Sequence, residues 1–230
     1  MKYFGLRVYD IEESIVASGF PMLKKQYTHE EYEREVDNLR YYLKRLGIDK
    51  MFEKAKSHKK EKMYFDNELR KAVIHFRRAC NLGSAKAGSG HDCMLKGMLV
   101  NVNIKADQSF WLQWERYHHQ DTVSSMSTMH CISKFEIDYD LFSKYTDQRV
   151  LDVLKEKIEE FNNNPTKENF HKVIHNCPEG IELTRRITTN YLQLKTMYLQ
   201  RENHKMFAWS EDFVEMCNRL PYFKMFAFKE

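Results

Sequence analysis

Apolar side chains gather at Tyr3, Phe4, Leu6 and Val8, so Lys2 to Asp10 is predicted to be an opening strand. Ser18-Gly19-Phe20-Pro21 reads as a turn. A helix is expected to begin near Thr28, which has Glu31 three residues on in a capping-box pattern. Its apolar positions Tyr32, Val36, Leu39, Leu43 and Leu46 recur in steps of four and three, one helical face that Gly47 ends. The charge run from Ser57 to Lys62 predicts a solvated loop. A second helix is expected from about Asn67 to Leu82, with Leu69, Val73, Phe76 and Cys80 on one side.

The small residues from Gly83 to Gly90 form the most permissive backbone in the chain. Met98 to Lys105 alternates as a strand. Asp107 is placed to cap a further helix carrying Phe110, Trp111, Trp114 and His118. Gln120 to His130 is polar and rich in hydroxyls. Downstream the pattern is mostly helical. Val150, Val153, Leu154, Ile158 and Phe161 form a face stopped at Asn162 to Pro165, and a short helix spans Thr166 to His175. Cys177-Pro178-Glu179-Gly180 breaks that short helix. Ile181 to about Lys205 then predicts one long helix, and Glu211 to Leu220 a closing one.

With no internal repeat and no linker, these elements imply one α+β domain over residues 1–230, a modest, mainly antiparallel sheet packed with several helices. Eight glycines and four prolines are too few for a linker-like or turn-dense all-β chain. No apolar run reaches the roughly 18 residues of a membrane span, and Met1 to Arg7 lacks a signal peptide's apolar stretch. A soluble, cytoplasmic protein with no membrane partner is expected. The net charge of +4 is mild for a nucleic-acid binder, so nucleic acid is not an expected partner. Five widely spaced cysteines, with no Cys-x-x-Cys, read as reduced thiols.

Phosphate-binding loop, dinucleotide-fold, zincin and nucleophile-elbow signatures are all missing. His171 and His175, four apart with Cys177 close behind, have metal-ligand spacing but no fourth ligand, and a structural role is the expectation. The strongest signal runs from Ser89 to His130. On the predicted helix Gln113, Arg116 and Gln120 make a polar stripe beside Phe110, Trp114 and His118. Gln113 can read an amide or imide edge, and Arg116 can clamp a phosphate or an enolate-like oxygen. Ser124, Ser125 and Ser127, with the loop N–H groups, can cradle a second anion. A solvated polar face with a capped loop is the competing reading.

The same run resembles the flavin-dependent thymidylate synthases, also called thymidylate synthase complementing proteins. Ser89-Gly90-His91, Lys105-Ala106, Gln113-Trp114 and Arg116 match that family's core in order and spacing, and one extra residue brings Ser127 onto its loop serine. Asp92 stands for Glu, Tyr117 and His118 for His and Arg, and Met129 for the loop's final Arg, with His130 next. Lys96 and Gly97 replace an acidic residue and a His, and Cys93 stands where a hydroxyl residue is common. A second stretch, Gly180 to Arg185 and Arg201-Glu202-Asn203-His204, is similar to the family's Glu-x-x-Arg helix start and late Arg-to-His segment. Together these cover about a third of the chain and look like a small, divergent, viral type of branch.

The resemblance implies a homotetramer whose sites form between subunits, with FAD as cofactor and NADPH and methylenetetrahydrofolate as co-substrates. The implied reaction is methylation of C5 on a pyrimidine deoxynucleotide, dUMP to dTMP. It gives Gln113, Arg116 and Arg201 the catalytic role, and Ser124, Ser125, Ser127, His130 and Arg185 the nucleotide. It gives His91, Tyr117 and His118 the flavin. A dUMP or dCMP hydroxymethylase and a non-catalytic nucleotide-binding homologue are the alternatives. The spatial expectation is that Arg116, Gln113 and Ser127 converge on one pocket completed by another protomer.

Overall fold

The computed structural model describes residues 1–60 and 67–229, so Glu61 and Lys62 of the charge run lie outside the described residues. The chain divides into two compact units. One comprises Met1–Arg7, Asn101–Thr189 and Met197–Cys217, the other Val8–Val100, Asn190–Thr196 and Asn218–Glu230.

A four-stranded sheet runs in the order β1 (Lys2–Tyr9), β2 (Leu99–Asp107), β4 (Glu182–Asn190), β3 (Gln120–Ser125). Strand β3 is antiparallel to β4, with Gln120 opposite Thr189 and Ser125 opposite Arg185. Strands β2 and β4 also run in opposite directions, since Asn101 bonds Thr188 while Asn103 bonds Arg186. The alternation read in β2 is real. Val100, Val102, Ile104 and Ala106 are buried, and the intervening residues are not.

Two expectations fail in this sheet. The helix predicted from Ile181 is strand β4, followed by a separate helix α8 (Tyr191–Arg201). Leu183, Ile187 and Tyr191 stand four apart, which fits a helical stripe as well as it fits alternate sheet positions. The β-branched Ile187, Thr188 and Thr189 and the free edge of β2 decide for the strand. The hydroxyl-rich loop is also largely regular. It holds β3 and a single turn α5 (Thr128–Cys131), and β3 escaped notice because every residue after Gln120 is exposed.

In the first unit Asp107 caps α4 (Gln108–Trp114) as expected, accepting Phe110 N–H at 2.9 Å. The helix stops four residues earlier than predicted. Gln120 Oε1 accepts the Trp114 indole N–H at 2.8 Å, which folds the chain back into β3. Gln113, Arg116 and Gln120 therefore do not share a helical face. A π-helical turn, Ala208–Phe213, leads into α9 (Val214–Asn218) and turns both Trp209 and Phe213 inward. Phe110 stacks on Trp209 at 4.2 Å and on Trp114 at 5.6 Å. Such pairs contribute about 0.5–1.5 kcal/mol each beyond burial.

Helices α6 (Gln148–Asn163) and α7 (Lys167–His175) close a second core of the same unit around Phe142, Leu151, Leu154, Ile158 and Val173. Thr166 caps α7 through Asn169 N–H at 3.2 Å. The buried stripe of α6 uses Leu151 rather than Val150 and Val153, which are exposed.

The second unit is helical. Helix α1 (Ile11–Ala17) was not expected, being only seven residues long. Helix α2 (His29–Lys60) starts at the capping box, with Thr28 N–H donating to Glu31 at 2.9 Å and Glu31 N–H to Thr28 Oγ1 at 3.2 Å. Thr28→Ala removes the acceptor and is expected to lower stability by about 1 kcal/mol in urea unfolding. Gly47, at φ 70° and ψ 167°, is non-helical and ends the first helix as read, and a second helix begins beyond the kink. The backbone stays helical through Lys60, into the stretch predicted as loop. Helix α3 (Asn67–Gly83) packs Phe76 on Phe226 of α10 (Phe223–Ala227) at 5.2 Å. No described helix is long and apolar enough to cross a membrane.

Candidate functional site

The first unit gathers three of the sequence-selected residues on one guanidinium. Arg201, the last residue of α8, donates from Nε to the Tyr117 hydroxyl and from one terminal nitrogen to Gln113 Oε1, each at 2.8 Å. Its guanidinium carbon lies 4.6 Å from the Trp209 ring centre and 5.5 Å from that of Tyr117. Tyr117 passes its own proton to Gln200 Oε1 at 3.0 Å. Gln113 Nε2 meets Ser109 O at 3.4 Å and Met206 Sδ at 3.2 Å. A guanidinium only donates, so its neighbours must present acceptors, and both do. The amide oxygen of Gln113 is thus committed to Arg201 rather than offered to a base edge. No carboxylate lies within ion-pair distance of Arg201 among the described residues. Its charge is held in place but not neutralised.

Arg185 is held differently. Its guanidinium lies 4.4 Å from the centre of Trp111 and ion-pairs with Glu115. Trp111, buried, donates to Ala106 O at 3.0 Å and Leu183 O at 3.2 Å, which fixes the platform. Trp111 and Trp209 both pack on Phe110, so the two arginines rest on one aromatic cluster. Two buried donors, Arg185 Nε and Trp209 Nε1, have no partner among the described residues. Buried donors of this kind usually have an acceptor.

The strand register sets Ser125 opposite Arg185, while Ser124 stands opposite Arg186 on the other face of the sheet. Ser127 is spent locally, its Oγ accepting His130 N–H at 3.3 Å as the cap of α5. Arg116, His118 and His130 are exposed, and Arg116 makes no bond among the described residues. Arg116 lies beyond the end of α4, and the residues that meet on one guanidinium are Gln113 and Tyr117, on Arg201.

His91 belongs to the second unit and is exposed at the end of the glycine turn. Asp92 beside it is buried and ion-pairs with Lys195 at 2.9 Å. His204 receives Met206 N–H on Nδ1 at 3.1 Å. Burial, with Arg201 and Lys205 nearby, holds its pKa below the usual histidine value. At the His171–His175 pair the rings stack at 5.9 Å, and burial pushes the Cys177 thiol up to about 11. Among the described residues no three His, Cys, Asp or Glu are grouped to hold a metal.

Sequence reasoning missed Trp209, Glu115 and Gln200. Trp209 lies outside every motif, and nothing local marks Glu115 or Gln200 as partners of residues far along the chain.

No protein-family model matches the chain, and no curated protein matches it by sequence. Its structure is similar to that of a flavin-dependent thymidylate synthase from Helicobacter pylori complexed with FAD and dUMP. The match has a TM-score of 0.62 at 10% identity and covers 100% of this chain and 98% of the other. The fold is that of a flavin-dependent thymidylate synthase. A second structure of the Helicobacter pylori enzyme with FAD and dUMP matches 65% of this chain and 79% of its own, at 13% identity and a TM-score of 0.50. The α+β class, with its small sheet, agrees with the resemblance seen in the Ser89–His130 run.

Proposed function

We infer that this chain binds FAD and a pyrimidine deoxynucleotide and methylates the pyrimidine at C5. The observation that carries the reading is Arg201, clamped by Gln113 and Tyr117 above Trp209 and left without a counter-charge. A preorganised cation in an aromatic setting suits an anion or a ring on which negative charge develops. The full-length likeness to a synthase complexed with FAD and dUMP supports the same reading.

The residues present fit an acceptor-rich ligand. Arg185 Nε and Trp209 Nε1 are buried donors that phosphate or ring-carbonyl oxygens would satisfy. Arg185 and Ser125 would hold the nucleotide phosphate, with Ser124 and His130 at the edge. Tyr117, His118 and His91 would face the flavin. Bound FAD would supply the reducing equivalents, drawn from NADPH, that complete a methyl group from methylenetetrahydrofolate. Arg201 would stabilise the negative charge on the pyrimidine oxygens as C5 becomes nucleophilic, and Gln113 would keep the guanidinium in plane. The chain would act as a homo-oligomer, with a tetramer as the expected form.

The test is reconstitution with FAD, followed by NADPH, methylenetetrahydrofolate and dUMP. A yellow protein is expected that bleaches with NADPH and yields dTMP by mass. A product one oxygen heavier would mark a hydroxymethylase instead. A colourless protein that takes up neither FAD nor dUMP would overturn the proposal.

A further inference from the structure

The second unit contains a buried cluster that the proposed reaction does not use. Glu35 of α2 and His75 of α3 are both buried, and Glu35 Oε2 faces His75 Nε2 at 3.3 Å. Lys71 donates to the other Glu35 oxygen at 2.9 Å. On the far side of the ring, Arg78 meets His75 Nδ1 at 2.6 Å. The same Arg78 donates to Ser18 Oγ at 3.0 Å, Ile15 O at 3.2 Å and Val16 O at 3.3 Å, the open end of α1. Its guanidinium is seated on Gly19, where an added Cβ would come within 2.6 Å of it.

The donor inventory fixes the proton. A guanidinium has no acceptor, so Nδ1 must carry the lone pair and Nε2 the hydrogen, which points at Glu35. The ring is neutral with one tautomer allowed. A second proton can go only on Nδ1, where it would oppose an Arg78 N–H across the present bond. The charged groups facing the ring are Glu35 from α2 and Lys71 and Arg78 from α3; Tyr27, just before α2, faces Glu35 and Arg78 rather than the ring. At the end of α1, Arg78 meets two carbonyls and the Ser18 hydroxyl, and Glu12 and Glu13 of α1 make no bond to the ring among the described residues. Lys96 and Lys224, on the other elements packed against α3, make no bond to the ring.

We propose that His75 is the proton-sensitive pin of a latch, and that protonating Nδ1 drives Arg78 off the end of α1 and frees the segment from Ser18 to Tyr27. That segment lines a cavity of about 490 Å³ through Phe20, Leu23, Lys24, Lys25, Gln26 and Tyr27. Arg78 anchors its start. The latch therefore sets whether the cavity wall is fixed.

Burial first, and the Arg78 charge second, hold the His75 pKa below its ordinary 6.5. The unfolded chain takes up this proton before the folded one does. The latch's stability is complete above about pH 6.5 and is lost as pH falls through the lowered value.

The experiment compares hydrogen exchange of Ile11 to Met22 at about pH 7.5 and about pH 5.5, corrected for intrinsic rates. The wild-type chain is expected to lose protection over that interval, by at most roughly tenfold. His75→Asn keeps an acceptor at the Nδ1 position and cannot titrate, so it should hold its protection at both values. Nitrogen NMR of the wild-type ring reads the tautomer without any substitution, and the hydrogen is expected on Nε2 at neutral pH. Equal loss in His75→Asn, no loss in the wild type, or a neutral-pH hydrogen on Nδ1 would each overturn the latch.

Discussion

Lys195→Met is expected to destabilise the protein by about 3–5 kcal/mol, the usual cost of removing one partner from a buried ion pair. Lys195 and Asp92 are 2% exposed each, so neither has water to fall back on. The ammonium of Lys195 has three donors and three acceptors: Gly83 O and Ala85 O at 2.7 Å and Asp92 Oδ2 at 2.9 Å. Methionine fills the volume but strands a carboxylate and two carbonyls in an apolar surround. Asp92→Asn is expected to cost less, about 1–2 kcal/mol, because an amide oxygen still accepts from the ammonium. Urea unfolding followed by circular dichroism gives both values, and the slope against urea should not change. A Lys195→Met midpoint equal to that of Asp92→Asn would refute the ordering. The pair also explains why a flexible glycine-rich segment stays put: two of the three acceptors are its own carbonyls. The acidic residue after Ser89-Gly90-His91 thus has a job in folding that is independent of any ligand.

What the sequence revealed depends on how local the cause was. The Thr28–Glu31 box, the Asp107 and Thr166 caps and the alternation of β2 each need only a few neighbouring residues, and each is found as read. Strand β4 was missed because Leu183, Ile187 and Tyr191 satisfy two periods at once, and the choice rests with a sheet edge built some eighty residues earlier. Strand β3 carries no buried side chain that could betray its period. The candidate site divides in the same way. Gln113 was selected from the helical stripe, but Tyr117, Arg185 and Arg201 only through motif resemblance, since nothing in local periodicity connects residue 113 to residue 201. The stripe including Arg116 assumed that α4 ran on, and no glycine or proline marks its end. Trp209 was invisible because its role is set by stacking against a helix a hundred residues away.

Replacing Arg201 should produce the largest loss of function. Lysine keeps the charge but has a single nitrogen, and the native guanidinium makes two directed bonds, to Tyr117 and Gln113, from two different nitrogens. A lysine head cannot reproduce that fork, nor the guanidinium's place over Trp209. On the proposed reaction, Arg201→Lys is expected to lower kcat/KM for the pyrimidine nucleotide by about a hundredfold, within the range measured when one preorganised donor is removed from a developing anion. Gln113→Leu keeps the guanidinium but frees it to rotate, and a loss of about tenfold is expected, mostly in kcat because alignment matters most as charge develops. The cation–π contact makes the fold cost of Arg201→Lys small, at about 0.5–1 kcal/mol, so unfolding curves taken in parallel separate a lost site from a lost structure. Wild-type turnover in Arg201→Lys, on a protein shown to be folded, would remove Arg201 from the chemistry and with it the observation on which the proposed function stands.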